Sequence, residues 1–261
     1  MRRDFLDTAA GTEALPRREV LGISVASLSR EAATLLLEQK ILEGIPARVA
    51  FANANLVNMA CEDEALRERL ANFLVLNDGV GLNIASRYLH GEPFPDNLNG
   101  TDFIPFFLDN CGSPLRIFLL GGRPEVAANA AAIVARRWPR HSVAGHQHGY
   151  FASDEGDRVF ERIRAASPDV VLVAMGNGPQ ERWVERLVPH AAMSAFGVGA
   201  LFDFLTGEVA RAPAWMRGIG LEWGFRLVQE PRRLFRRYLV GNPKFILRVL
   251  LARHRNRYAN L

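Results

Sequence analysis

The sequence places an aspartate directly after a short apolar run, where a parallel sheet would present it to a ligand. Asp78 follows the run at 73–77 and is flanked by Asn77 and Gly79. A carboxylate at that point could meet a ligand without being buried in the core. It can equally cap the helix predicted to begin near Gly79, which is a common role of aspartate. The spacing leaves these two roles equally open.

A second aspartate, Asp102 in the segment Gly100-Thr101-Asp102, has the same two roles open, with helix capping favoured. The Asp-x-Asp pair with which many nucleotide-sugar enzymes hold a divalent ion is absent from the sequence. If the leaving group is a nucleoside diphosphate, backbone N–H groups and cationic side chains must therefore meet its charge. We expect neither a metal ion nor a cofactor.

Glycine-bearing turns follow four of the apolar runs, at 78–81, 121–122, 176–181 and 198–203. Ligands bind beyond the carboxyl ends of parallel strands, so the four turns should converge on one edge of the sheet. Where such turns open helices, their free N–H groups can hold phosphate. Each turn alone is ordinary turn chemistry, but the four together favour a nucleotide or phosphate ligand. The G-x-G-x-x-G fingerprint and the Walker sequence are absent, which argues against NAD enzymes and P-loop kinases.

The elements that must position these groups alternate along most of the chain. Apolar runs, several of them continuous as in strands covered on both faces, predict strands at 48–54, 73–77, 115–120, 142–146, 169–175 and 193–197. Helical patterns predict helices at 29–42, 124–138, 154–166 and 179–188. This alternation predicts an α/β fold with a Rossmann-like, mostly parallel sheet and helices on both of its faces.

Composition limits the class of protein and its compartment. The 261 residues, 49% hydrophobic and 23% charged, suffice for one large core or two small ones. The two cysteines form no C-x-x-C pair, so neither a disulfide framework nor a zinc site is expected, and a reducing compartment fits. Residues 1–19 lack an apolar signal region and no run of eighteen apolar residues occurs, which predicts a flexible N-terminal extension and a cytoplasmic protein without a spanning helix.

Residues 211–261 differ from the rest of the chain in charge and in pattern. They carry eleven arginines and Lys244 against two glutamates, a net charge of +10, whereas residues 1–210 carry −6. Strand patterns give way to helical stretches rich in Trp, Phe, Tyr and Arg. We therefore predict a basic helical appendage joined to a core of residues 20–210. The charge asymmetry suggests that the appendage has an anionic partner.

Three interpretations of this basic segment compete. On one helix from about 221 to 240, Trp223, Leu227, Leu234 and Tyr238 would share an apolar side while the arginines reach an anionic membrane surface. A helix packed on the core with a solvated basic face explains most aromatic stripes, but the excess positive charge slightly favours the membrane. Nucleic acid would also suit a basic tail, yet no recognised nucleic-acid motif occurs, so it is not expected.

Taken in order, these segments resemble the WecG/TagA/CpsF family of bacterial glycosyltransferases over residues 20–247. The resemblance rests on 77–81, 100–102, 180–183, 197–203 and, above all, the basic run at 211–238. It implies an inverting, metal-independent transfer from a UDP-sugar to a polyprenyl-diphosphate-linked saccharide, peripheral on the cytoplasmic face of the inner membrane. Such transfers serve cell-surface or exopolysaccharide synthesis, and the exopolysaccharide glucosyltransferases are the nearer branch.

The resemblance also implies roles for individual residues. Asp78 is the expected general base, and the basic segment is expected to bind the membrane and to supply arginines near the diphosphates. The residues expected on the nucleotide-sugar side are Asn53, Thr101, Asp102, Gly121, Gly122, Gly149, Tyr150, Gly176, Gln180, Glu181 and Asp203. Those expected at the lipid diphosphate or the membrane are Arg211, Arg226, Arg232, Arg233 and Arg237.

Three departures from the family pattern bear on the donor sugar and the pocket. Phe51 stands where threonine is frequent, Asn97 where arginine is frequent, and Gly178-Pro179 replaces proline followed by a basic or polar residue. Two rival functions also remain. A membrane-recruited nucleotide-binding module without transferase activity would be favoured by loss of Asp78 or of the glycine turns, and both are present. A dehydrogenase is disfavoured by the missing fingerprint.

Overall fold

The computed structural model describes residues 15–188, 192–213, 215–216 and 220–259, with side chains described to residue 254. Its strands are β1 (Arg17–Val20), β2 (Ile23–Ala26), β3 (Arg48–Ala52), β4 (Leu74–Asn77), β5 (Arg116–Gly121), β6 (Ser142–Gln147), β7 (Val170–Ala174) and β8 (Ser194–Gly197). They form one sheet in the order β1-β2-β4-β3-β8-β7-β5-β6. The β1–β2 pair is antiparallel and the other pairs are parallel.

Helices surround this sheet. They are α1 (Arg30–Leu42), α2 (Ala54–Glu62), α3 (Glu64–Ala71), α4 (Val80–His90), α5 (Gly100–Asn110), α6 (Pro124–Arg137), α7 (Gly156–Ala166), α8 (Pro179–Leu187), α9 (Leu201–Thr206), α10 (Glu222–Gln229), α11 (Pro231–Phe235) and α12 (Gly241–Ala259). A 3₁₀ turn lies at Ser153–Glu155 and a π-helical turn at Arg236–Val240. Among the described residues, none of these helices has the length and apolarity needed to cross a bilayer.

Alternate residues of the central strands supply two cores, one on each face of the sheet. In β3, Val49 and Phe51 belong to one core, and Ala50 and Ala52 belong to the other. Helices α1, α5, α6 and α9 cover the first core, and α2, α3, α4, α7, α8 and α12 cover the second. A strand covered on both faces is apolar throughout, which explains the continuous runs in the sequence. The predicted α/β fold with helices on both faces is therefore confirmed.

The six predicted strands correspond to β3–β8, with bounds that differ by at most two residues. The sequence does not predict the β1–β2 hairpin. Its two-residue turn has positive φ at both Leu21 (53°) and Gly22 (84°), and leucine rarely adopts that conformation, so the usual Asn-Gly signal is missing. Residues 1–14 of the predicted extension lie outside the described residues, whereas Arg17–Val20 forms the edge strand.

The single helix predicted over 221–240 is wrong, because the chain breaks near its centre. Helix α10 ends before Glu230, whose φ of −128° and ψ of 58° are not helical, and Pro231 begins α11. Proline disfavours helical backbone at the preceding residue, which accounts for the break. Helix α12 then packs against α2 and α4, and it buries Phe245 and Val249 in the second core.

Candidate functional site

The carboxyl ends of the parallel strands open into one cleft of about 1550 Å³. Each strand from β3 to β8 is followed by a residue that lines it: Asn53, Asp78, Gly122, Gly149, Met175 and Val198, respectively. Open parallel sheets bind their ligands at this edge. The opposite side of the cleft comes from the C-terminal helices, which contribute Trp223, Arg226, Glu230 and Arg237. The cleft is thus shared between the sheet and the basic segment.

Asp78 lies half-buried on the wall of the cleft and is held by Asn53. The Asn53 side chain caps α2, where its Oδ1 accepts hydrogen bonds from the N–H groups of Asn55 and Leu56, both at 3.1 Å. Its Nδ2 is left to donate to Asp78 Oδ2 at 3.1 Å. The cap therefore determines which end of the amide meets the carboxylate. The N-cap of α4 is Gly79, with no side-chain hydrogen bond, so Asp78 does not cap that helix.

The surroundings of Asp78 change its acidity. Burial raises the pKa of its carboxyl, since the charged form loses solvation. The Asn53 hydrogen bond and the charges of Arg237 and Arg226 act in the opposite direction and offset only part of the effect. A carboxylate whose pKa is raised towards neutrality is a better general base at neutral pH. The position and acidity of Asp78 both suit proton abstraction from a ligand hydroxyl.

Arginines of the C-terminal helices line the cleft close enough to act on Asp78. Arg226 is largely buried, with its guanidinium 5.1 Å from the Phe204 ring centre and 3.8 Å from Glu230. Among the described residues, its buried Nε and Nη2 have no hydrogen-bond partner, and neither has the buried Nε of Arg237. Burial, reinforced by the neighbouring positive charges of Arg226 and Arg233, lowers the pKa of Arg237. Buried donors of this kind suit an anion that carries several oxygens, such as a diphosphate.

Gln180 and Glu181 hold the turns beside the cleft through their own hydrogen bonds. Gln180 Nε2 donates to Gly197 O at 3.1 Å and to Glu181 Oε1 at 2.9 Å, and its Oε1 accepts the Gly199 N–H at 3.0 Å. Glu181, wholly buried, also accepts the Gly178 N–H. Burial raises the pKa of the Glu181 carboxyl. Both ends of the Gln180 amide are thus engaged in positioning two of the predicted glycine turns.

The glycines at the edge of the sheet have two different functions. A Cβ on Gly121, whose φ is +128°, would lie 2.3 Å from the Ala174 carbonyl oxygen, so this residue permits β5 and β7 to approach closely. Gly176, with a φ of +76°, lines the cleft, and a Cβ at this residue would meet no atom within 4 Å. Gly122 and Gly149 also line the cleft. Gly121 therefore acts through packing, and Gly176 acts through its backbone conformation.

Asp102 and Arg211 link the first core to the C-terminal helices. The N-cap of α5 is Asn99, whose Oδ1 accepts the Asp102 N–H at 3.0 Å, so the capping role favoured for Asp102 belongs to Asn99. The Asp102 carboxylate accepts from Asn99 Nδ2 at 2.9 Å and from Arg211 Nη1 at 2.6 Å. Arg211 also contacts Glu222 at 3.4 Å. These bonds join the start of α5 to the start of α10.

The structure brings most of the predicted site residues together. Those that line the cleft are Asn53, Asp78, Thr101, Gly122, Gly149, Tyr150, Gly176, Gln180, Asp203, Arg226, Arg233 and Arg237. Those outside its lining are Asp102, Gly121, Glu181, Arg211 and Arg232. Sequence reasoning misses Phe204, Glu222 and Glu230, which line the cleft and contact Arg211 or Arg226. In the sequence, the two glutamates stand out only because they are the two acidic residues of the basic segment.

Within the described part of the chain, no three His, Cys, Asp or Glu side chains cluster as they would around a metal ion. The model of the glycosyl transferase WecG/TagA/CpsF family matches residues 18–259. The match covers the sheet and also the C-terminal helices that complete the cleft.

Proposed function

The chain belongs to the glycosyl transferase WecG/TagA/CpsF family, whose members serve cell-surface polymer synthesis, and we propose that it uses a UDP-sugar as donor. The acceptor is a saccharide linked to polyprenyl diphosphate, and the transfer inverts the anomeric centre without a metal ion. One observation carries the proposal: the Asp78 carboxylate and the buried donors of Arg226 and Arg237 share one cleft at the carboxyl edge of the sheet.

In the proposed reaction Asp78 accepts the proton of an acceptor hydroxyl as the oxygen attacks the anomeric carbon. The new glycosidic bond forms while the bond from that carbon to the UDP oxygen breaks, and attack opposite the leaving group inverts the configuration. Arg226, Arg233 and Arg237 stabilise the negative charge that develops on the diphosphate. A positioned general base contributes roughly 10²–10⁴-fold to such a step.

The other residues of the cleft have positioning or binding roles. Gly122, Gly149, Tyr150 and Gly176 would contact the nucleotide, and Asn53, Thr101 and Asp203 would lie towards the sugar. Residues outside the lining act through their neighbours. Glu181, together with Gln180 of the lining, holds the turns after β7 and β8, while Arg211 and Asp102 fix the C-terminal helices against α5.

The same C-terminal helices suit a peripheral position on the cytoplasmic face of the inner membrane. Val228, Phe235 and Val240 are exposed apolar side chains, and Arg232 and Arg236 are exposed beside them. Aromatic and aliphatic residues next to arginines bind the headgroup layer of an anionic bilayer. This placement would bring the open side of the cleft to the lipid-linked acceptor.

Within the family we propose the exopolysaccharide glucosyltransferase branch, so UDP-glucose is the first donor to test. The experiment compares UDP-glucose, UDP-N-acetylmannosamine and UDP-N-acetylmannosaminuronic acid with one lipid-linked acceptor, in the presence of a chelator. We expect one donor to be used, with inverted configuration at the new linkage by NMR and no loss of rate on chelation. Retained configuration, or release of UDP without a saccharide product, would contradict the proposal.

A further inference from the structure

Next to the cleft lies a second space, a groove of about 530 Å³ along the C-terminal helices. Trp223, Tyr238, Asn242 and Ile246 line both spaces, so the groove adjoins the cleft. Trp223 and Tyr238 meet edge to face, with ring centres 6.0 Å apart, and form the shared wall. A ligand that passes from the cleft beyond these two rings would meet the groove next.

Polarity changes sharply along this path. Arg237 lines the cleft, and its guanidinium lies 5.5 Å from the Tyr238 ring centre, at the junction. Beyond the junction the groove is lined by Leu239, Pro243, Leu247 and Leu250. None of the described residues that line it is charged. Several of these side chains are exposed, and covering them with hydrocarbon is favourable.

We propose that the groove holds the first isoprene units of the acceptor's polyprenyl chain. This inference rests on the proposed function, because it assigns a place to the lipid of the same acceptor. A saccharide, a diphosphate and a branched hydrocarbon follow one another in that molecule. The cleft that holds Asp78, the Arg237 guanidinium beside Tyr238 and the apolar groove beyond Tyr238 follow one another in the same order. Because the groups occur in the same order in the acceptor and in the protein, we favour the polyprenyl chain of the acceptor over a hydrocarbon chain that carries no diphosphate.

The test is direct binding of isopentenyl, geranyl and farnesyl diphosphate, measured by calorimetry in water without detergent or vesicles. We expect the affinity to rise about tenfold with each added unit, as partial burial of a branched five-carbon group predicts. Leu247→Gln should remove most of this gain while leaving isopentenyl diphosphate binding unchanged. Leu251→Gln is the matched control, since Leu251 is 54% exposed against 56% for Leu247 on the same helix but does not line the groove.

Affinity that is independent of chain length, or equal effects of the two substitutions, would overturn the inference. A groove that binds acyl chains of the bilayer would hold a straight-chain alkyl diphosphate at least as tightly as the prenyl diphosphate of equal carbon number, and this result also overturns the inference. Failure of the proposed function is distinguishable, because sugar transfer is measured separately. Length-dependent binding that Leu247→Gln abolishes supports the groove whether or not sugar is transferred.

Discussion

Asn53 donates from Nδ2 to Asp78 Oδ2 at 3.1 Å while its Oδ1 caps the start of α2. One side chain therefore joins the orientation of the candidate base to the N-terminus of a helix that packs in the second core. Because both ends of the amide are engaged, rotation of the Asn53 side chain would break the cap as well as the bond to Asp78. The helix thereby holds the carboxylate in place.

Substitutions at Asn53 can separate its contribution to helix capping from its contribution to the acidity of Asp78. Serine and aspartate both retain a capping oxygen, but aspartate places a second carboxylate beside Asp78, so Asn53→Ser should change the free energy of unfolding by less than about 1 kcal/mol and Asn53→Asp should lower it more at neutral pH. Both lose the donor to Asp78, which should raise the pKa of that carboxyl further, and more so beside the new charge in Asn53→Asp. The acidic limb of the pH profile of kcat/KM should move to higher pH in that order. If the acidic limb of the pH profile does not move in either variant, Asn53 acts only as a helix cap.

The arginines of the C-terminal helices should differ in importance according to where they lie. Arg226→Gln and Arg237→Gln remove buried donors that line the cleft, so each should lower kcat/KM by about 10²–10³-fold and weaken UDP binding. Arg232→Gln is the control, because Arg232 is exposed and lies outside the lining. Steady-state kinetics would reveal the difference. Equal losses in all three variants would indicate a general charge effect in place of a diphosphate site.

Substituting alanine for two glycines at the carboxyl edge of the sheet should lower stability by different amounts. Gly121→Ala would place a methyl group 2.3 Å from the Ala174 carbonyl oxygen, so the free energy of unfolding should fall by at least about 3 kcal/mol. Gly176→Ala meets no neighbouring atom and should cost only the left-handed backbone strain, about 1–2 kcal/mol. Urea denaturation of both variants measures the difference. Similar losses of stability in the two variants would mean that the close approach of β5 and β7 does not require glycine at residue 121.

The fold was more predictable from the sequence than the site. Strands buried on both faces have continuous apolar runs, which is why β3–β8 could be predicted. The β1–β2 hairpin could not, because Leu21 stands where such a turn usually has asparagine or glycine. Local pattern also does not reveal partners that are distant in sequence, such as Gly197 for Gln180 or Asp102 for Arg211. The break at Pro231 shifts the helical phase, so spacing alone could not distinguish the cleft-lining Arg226 from the exposed Arg232.

Membrane binding should depend on the exposed apolar residues of the C-terminal helices. The double substitution Phe235→Ser with Val240→Ser should strongly reduce flotation with anionic vesicles, because both side chains are more than half exposed beside arginines. The control is Leu42→Ser, which removes a similarly exposed apolar side chain at the end of α1, outside the C-terminal helices. Unchanged flotation of the double variant would contradict the proposed membrane surface.

Asp78→Asn should leave the protein at least as stable as the wild type at neutral pH. Folding raises the pKa of Asp78, so the folded state favours the protonated carboxyl, and its ionisation costs stability as the pH rises through that pKa. Asparagine mimics the neutral form, so the variant should gain stability at neutral pH. The gain should disappear below the unfolded-state pKa of about 4. Thermal unfolding at several pH values measures this, and a variant destabilised at neutral pH would contradict it.

The most direct measurement is the rate of sugar transfer by wild type and Asp78→Asn at neutral pH, with donor and lipid-linked acceptor both saturating. If Asp78 is the general base, the folded variant should bind UDP normally and transfer sugar roughly 10²–10⁴-fold more slowly. A folded Asp78→Asn protein that keeps most of the wild-type rate would show that another group accepts the proton.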